Sequence, residues 1–334
     1  MTLPRRKFLS LSIGGAAALA LGGSVWNRSQ RANDRGVTQQ GWALGADVTM
    51  TVLGLSEDRA KVALAAAFQE LESIEQVMSL YRPDSQISRL NRDLSLRQPH
   101  PHLLAVLAHA EEVSRLTSGA FDITVQPLWS LHADRQQQGT LPTEAEIAAT
   151  RATIDWKAVA ASVEEVVLHA PATSITLNGI AQGFAADRAL AVLKEHGVEL
   201  ALVNSGEIGA RGIKPDGSGW KVGIQHPRSK DAFVEVAELR DRALSTSGDY
   251  ETSFTPDFSK NHIFDPHTGQ SPAEVASVSI AAPTAMQADA LSTAAAVLGP
   301  KAALELIQSL PNVDALFVLK DGRVVRTPDF PAVA

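Results

Sequence analysis

A chain of 334 residues, 45% hydrophobic and 20% charged, is long enough to bury a sizeable core in one large domain or two closely joined ones. Its formal net charge of -7, with no Lys/Arg-rich run beyond the N-terminus, argues against a nucleic-acid partner, because such proteins use a basic stripe to displace counterions. The absence of cysteine excludes disulfides, thiolate metal sites and a thiol nucleophile; it suits an oxidising compartment without establishing one.

Two adjacent arginines in Pro4-Arg5-Arg6-Lys7-Phe8-Leu9 precede a weakly apolar, Gly/Ala-rich run from Leu9 to Leu21. A membrane-spanning helix needs about 20 predominantly apolar residues, and this run is shorter and interrupted by glycines. Residues 1–28 therefore read as a twin-arginine-type signal segment, which predicts passage through the twin-arginine export machinery to the periplasm. With no cysteine there is no lipid anchor, although a tether through an uncleaved leader stays open. Residues 29–41 read as a polar linker, and the folded domain is predicted over 42–330.

Within that domain, Trp42 to Val52 alternates as a strand, and Ser56 with an acidic first turn opens an amphipathic helix that runs to Met78. A second helix is predicted from His102 to Thr117, ended by Ser118-Gly119. Ala133 to Gly139 reads as a polar loop, and Thr143 with Glu146 as the capping box of a short helix. Strands are predicted at Val163–Leu168, Ile175–Leu177, Leu200–Val203, Lys221–Ile224, Phe233–Leu239, Val275–Ala281 and Leu316–Leu319. Helices are predicted over Gln182–His196 and around Asp289–Leu298, and Asp321-Gly322 forms a hairpin turn. The pattern is α+β, with helices packed on mixed or antiparallel sheets.

Asp289 and Thr293 stand four residues apart on one helix face and could offer a carboxylate and a hydroxyl to one hard cation, although capping and back-bonding are the commoner uses of such residues. Gly179-Ile180-Ala181-Gln182-Gly183 opens a helix and lets backbone approach a phosphate or a metal, but it fits neither a P-loop nor a dinucleotide fingerprint. His262 is a candidate proton acceptor near neutral pH, against the commoner packed histidine. No nucleophile elbow or His-Glu-x-x-His helix is present, and the nine histidines are scattered.

Six ordered segments together resemble the ApbE family of FAD:protein FMN transferases: Leu80 to Asn91, Ser118 to Val125, Leu177 to Arg188, Thr246 to Glu251, His262 to Gly269 and Ala288 to Ala294. The resemblance implies an α+β fold with FAD in a cleft and Mg2+ beside its pyrophosphate. It places Ala181 (through its carbonyl), Asp289 and Thr293 on the metal, and His262 as the base. Leu44, Tyr81, Ala120, Phe121, Asp122, Asn178, Phe184 and Ile263 would line the flavin nucleotide. The implied reaction is attack of an acceptor Thr or Ser hydroxyl on the flavin-side phosphorus, with AMP leaving. The same site acting on water would be a Mg-dependent FAD pyrophosphatase, and a site without turnover would be a periplasmic flavin-binding protein.

Three departures from the family pattern stand out. Leu44-Gly45-Ala46 replaces a common Met-Gly-Thr, Gln182 replaces a frequent lysine, and Asn204-Ser205-Gly206-Glu207-Ile208 is one residue shorter than usual. The Asn-Gly-Ile-Ala-Gln-Gly version, with the twin-arginine leader, resembles the NosX-like branch, whose acceptor would be a membrane-bound flavoprotein regulator of nitrous-oxide respiration.

Overall fold

Side chains alternate between two faces on either side of Leu44-Gly45, and these two residues turn the chain back on itself. Both have positive φ, 52° and 79°, the left-handed pair that a two-residue hairpin requires. The computed structural model describes residues 36–170 and 172–333; in it β1 (Val37–Ala43) pairs antiparallel with β2 (Ala46–Leu53). The single strand expected from Trp42 to Val52 is thus a hairpin, and residues 37–41, expected as linker, belong to its first strand. Their mostly polar side chains hid this, because an edge strand buries little; Gly41 nonetheless lies so close to Phe68 that an added Cβ would fall 2.5 Å from its ring. The leader reading, over residues 1–28, lies outside the described residues.

Helix α1 (Glu57–Met78) buries Ala60, Leu64, Ala67, Leu71 and Ile74 along one face. Then follow α2 (Gln86–Asp93), β3 (Ser95–Arg97) and α3 (Pro101–Leu116). Helix α4 (Gln126–Gln137) takes in most of the stretch expected as a loop from Ala133 to Gly139; its Gln and Arg residues are good helix formers, and their polarity marks only the solvent side. Helix α5 (Glu144–Arg151) opens on the expected capping box of Thr143 and Glu146. Strands β4 (Val159–Ala161) and β5 (Glu165–Leu168) join β3 in a small sheet. Ile175 to Leu177, expected as a strand, buries Ile175 and Leu177 but joins no sheet. The Asn91 side chain serves as its partner, with Nδ2 donating to the Ile175 carbonyl at 2.8 Å and Oδ1 accepting from the Ile175 amide at 2.7 Å.

The second half supplies α6 (Ala181–Glu195), β6 (Leu200–Asn204), β7 (Ile208–Arg211), the hairpin β8 (Trp220–His226) and β9 (Ser229–Leu239), β10 (Ala243–Gly248) and β11 (Val275–Ala282). It ends with α7 (Ala285–Gln308), kinked at Gly299-Pro300, then β12 (Asp314–Leu319) and β13 (Val324–Arg326) around the expected Asp321-Gly322 turn. Eight strands form one sheet in the order β1-β2-β6-β7-β10-β11-β12-β13, antiparallel at every junction. Helices α1, α6 and α7 cover one face, and the β8–β9 hairpin with Phe330 covers part of the other. This is the predicted α+β class, with the helices α6 and α7 side by side over the middle of the sheet.

Candidate active site

The absence of side chains at two positions brings α6 onto α7. A Cβ on Gly179 would fall 2.8 Å from Thr293 Oγ1, and one on Gly183 would fall 2.2 Å from the Ala285 carbonyl oxygen and 2.7 Å from Asp289 Cβ. The Gly183 amide donates to Asp289 Oδ2 at 2.9 Å. Asp187, one turn further along, accepts from the amides of Ala285 and Met286 at 2.8 and 2.9 Å, so a carboxylate of one helix caps the other and fixes their register. Ala181, in the first turn of α6, lies in the chain between Gly179 and Gly183, the points of contact with Thr293 and Asp289, the other two residues expected at a metal. Arg188 ties α6 to Glu70 of α1 at 2.7 Å, and the His102 ring packs edge-on against Phe184.

Strand β10 lies beneath α7 and lines the site with hydroxyls. Its alternation sends Ser245 and Ser247 toward the helix, where both meet Ser292 Oγ at 3.2 and 2.7 Å, and Ser247 also approaches Thr293 Oγ1 at 3.4 Å. Thr246 faces the other way and bonds Ser279. Glu207 is buried near the same place, where the Ser245 hydroxyl and the Thr246 amide favour its charged form. Burial pushes Glu207 well above the usual carboxylate range, and the nearby Asp289 adds to this; burial raises Asp289 as well. A buried carboxyl raised in this way favours a proton or a cation beside it. Glu251, half-buried, is pushed up to about 7 by its partial burial.

His262 follows on the loop after β10. Its Nδ1 lies 3.2 Å from the Thr252 carbonyl, which can only accept, so Nδ1 carries the proton and Nε2 presents a lone pair. Burial lowers the imidazole pKa, with the Thr252 bond and the charge of Asp249 opposing that shift. Asp249 itself is held by both arms of Arg228, at 2.7 and 2.8 Å, with Lys320 at 3.6 Å. Ser247, Asp249, Asn261 and Ile263 line one narrow crevice.

The residues expected along the flavin are unequal. Leu44 sits half-buried in the hairpin turn at positive φ, and Tyr81 and Asn178 are exposed. Ala120, Phe121, Phe184 and Ile263 are buried. Asp122 has both carboxylate oxygens engaged, Oδ1 by the Thr124 amide and hydroxyl and Oδ2 by the Trp156 amide, so only its backbone is free to meet a ligand. In the Leu80 to Asn91 segment, Arg82 pairs with Glu72 and Ser85 caps α2, both structural roles.

The three departures meet in space. Gln182 Nε2 donates to the Leu44 carbonyl at 3.4 Å, Ser205 Oγ donates to the Gln182 carbonyl at 3.3 Å, and a Cβ on Gly206 would collide with the Gln182 amide at 2.6 Å. Glu207 is the next residue. Sequence reasoning assigned no role to Glu207, Ser245, Ser247, Ser292 or Asp187; Ser247, Ser292 and Asp187 lie inside the resembling segments and Glu207 at a departure from them, while nothing marked Ser245.

The ApbE family model matches residues 44–317. The FAD:protein FMN transferase of Salmonella typhimurium is 28% identical over 326 residues, covering 93% of this chain and 92% of that protein. The FAD:protein FMN transferase of Treponema pallidum is 34% identical over 286 residues, covering 78% of each. Among solved structures, the ApbE protein of Thermotoga maritima superposes with a TM-score of 0.79 at 28% identity, covering 88% of this chain and 97% of that one. Sequence and fold agree over nearly the whole described chain, and it belongs to the ApbE family.

Proposed function

We propose that this protein transfers the FMN half of FAD to a Ser or Thr hydroxyl of an acceptor flavoprotein, with release of AMP. The observation that carries the reading is the approach of the α6 N-terminus to Asp289 and Thr293 through Gly179 and Gly183, in a chain whose family relatives bear the name of that activity.

The donors gathered there are oxygens, and a buried carboxylate disfavoured as a bare anion fits a hard cation such as Mg2+. Ala181 (carbonyl), Asp289 and Thr293 would hold it. When bound, the ion supplies compensation for the pyrophosphate charge and alignment of the reacting groups. Leu44, Tyr81, Ala120, Phe121, Asp122, Asn178, Phe184 and Ile263 would line the nucleotide, Asp122 through its backbone.

His262 Nε2 accepts the proton of the acceptor hydroxyl, and its lowered pKa keeps it neutral and ready at pH 7. As the hydroxyl oxygen bonds to the flavin-side phosphorus, the bond from that phosphorus to the bridging oxygen breaks. FMN remains on the acceptor as a phosphoester, AMP departs and the proton rests on His262. We further propose export by the twin-arginine route to the periplasm and, on the NosX-like motif, a membrane-bound regulator of nitrous-oxide respiration as acceptor.

The test is to incubate protein lacking residues 1–28 with FAD, Mg2+ and candidate acceptors, then read acceptor intact mass and AMP. An FMN-sized gain that chelator abolishes is the expected result. AMP without adduct would replace the transferase reading with FAD hydrolysis, and bound FAD without turnover would replace it with flavin binding.

A further inference from the structure

The two edges of the eight-stranded sheet are built differently. At one end β13 has three residues, is crowded by Arg323 and Arg326 and is followed by Pro328, the usual devices that keep an edge from pairing. At the other end β1 runs for seven residues, Val-Thr-Gln-Gln-Gly-Trp-Ala, with no charge and no proline. Its backbone pairs with β2 and makes no other backbone hydrogen bond among the described residues. A row of outward amides and carbonyls on a long, uncharged edge is a template for one more strand.

This edge also leads to the chemistry. β1 ends at Ala43, and the next carbonyl, that of Leu44, accepts from Gln182, the neighbour of Ala181 in the first turn of α6. At about 3.3 Å per residue, a segment laid along β1 would follow some 20 Å of edge and arrive at the cleft. On the side of the strand away from α1, Trp42 is 49% exposed beside Thr38 and Gln40, an aromatic with open area for a partner side chain.

We propose that the acceptor protein docks here as an added β-strand, an extended segment that pairs with Val37–Ala43 and carries its Ser or Thr hydroxyl to the cleft at Leu44. This rests on the transferase reading. Main-chain pairing supplies affinity with little demand on the acceptor's sequence, and register along the edge places the hydroxyl. The uncharged edge and the covered core behind it favour this occupant over a charged surface.

The probes are the acceptor identified by mass gain in the assay above and a twelve-residue peptide spanning its modified hydroxyl. Hydrogen exchange should show amides of Val37–Ala43 slowing several-fold when acceptor is added. Gln40→Lys, on an exposed position, should raise the acceptor KM about tenfold with kcat and FAD affinity within about twofold. Gln39→Pro and Gln40→Pro form a second pair: adjacent residues point their amides in opposite directions, so one of the two should fold normally and still lose acceptor binding. The proposal is overturned if wild type modifies the acceptor while edge exchange and the Gln40→Lys KM are unchanged; the transferase reading would then stand. It is also overturned if edge amides are already protected without acceptor, whether by residues 1–35, shown by deleting them, or by a second copy, shown by a dimer that Gln40→Lys dissociates. Failure of wild type to modify any acceptor overturns both readings.

Discussion

Gly183 donates its amide to Asp289 Oδ2 across 2.9 Å, at a point where the two helices leave no room for a methyl group. A glycine inside a helix is a cost to that helix, about 1 kcal/mol relative to alanine. Here it permits a carboxylate on one helix to share a site with the first turn of another. Gly183→Ala should therefore fail as a helix-stabilising change: the methyl would meet the Ala285 carbonyl at 2.2 Å, a backbone atom that cannot step aside. Overpacking of this kind costs about 1–3 kcal/mol. The expected outcome is a lower melting temperature together with weaker Mg2+ binding by titration calorimetry. An unchanged Mg2+ affinity would detach the glycine from the metal site.

Asp289→Asn keeps the size of the side chain and an acceptor for Gly183 while removing the charge. Because burial disfavours the charged form, the asparagine protein should fold at least as well as wild type without metal, yet lose Mg2+-dependent turnover by about a hundredfold or more. Thermal melts with and without Mg2+ separate the effects, since only wild type should gain stability from the ion.

The Asp289/Thr293 spacing and the glycine-rich turn are each visible as weak local signals; the helix expected over Gln182–His196 matches α6 closely, whereas α7 begins four residues before the expected Asp289 and continues past the Gly299 kink to Gln308. What brought them together was invisible locally, because Asp187 capping α7 and the two methyl-free contacts depend on residues about a hundred positions apart. Strand β10 was overlooked for a related reason: Ser245, Thr246 and Ser247 carry no hydrophobic alternation, their two faces being satisfied by hydroxyl pairs instead. The polar strand β1 and the polar helix α4 were misread as linker and loop because polarity follows exposure, which the fold decides. Ile175–Leu177 differs in the opposite sense, a run that joins no sheet because its backbone is met by the Asn91 side chain at Ile175 and by the Ile123 carbonyl at Thr176.

Glu251 contributes to the pH dependence of stability, alongside Asp289 and Glu207, which burial shifts in the same direction. Its folded-state pKa, about 7, lies above the ordinary value of 4.5, so between these values the folded state holds a proton that the unfolded chain has released. Its contribution is fully present below about pH 4.5 and is lost as pH rises through 7. Metal-free protein should thus melt at a lower temperature at pH 8 than at pH 6 at fixed salt, and Glu251→Gln should reduce that slope, leaving the part due to Asp289 and Glu207. A slope unchanged by the substitution would show that Glu251 ionises as an exposed carboxyl.

For His262 the sign of the shift runs the other way, and it concerns rate. Burial lowers the pKa below 6.5, so the ring is neutral at pH 7 and the base form is lost only on acidification. His262→Ala should leave FAD affinity intact and lower the transfer rate by about 10²–10⁴-fold, and the acid limb of the wild-type pH–rate profile should vanish with it. A profile that keeps its acid limb would assign the proton to another group.

Leu44 holds a left-handed backbone, φ 52°, that costs a leucine about 1–2 kcal/mol. Its carbonyl is held from below by Gln182, and its side chain is half-buried at the expected flavin wall. Asparagine tolerates the same conformation, so Leu44→Asn should raise the melting temperature of the ligand-free protein by a few degrees, the usual scale for about 1 kcal/mol in a protein of this size. If the leucine side chain meets the flavin, the stabilised variant should bind FAD several-fold more weakly, a trade of affinity for stability typical of strained functional positions. Gln182→Ala, which frees the Leu44 carbonyl while leaving the side chain in place, should weaken FAD in the same direction without the gain in melting temperature. Equal FAD affinities for wild type and both variants, measured by flavin fluorescence, would place the flavin away from this turn and make the strain at Leu44 a property of the hairpin alone.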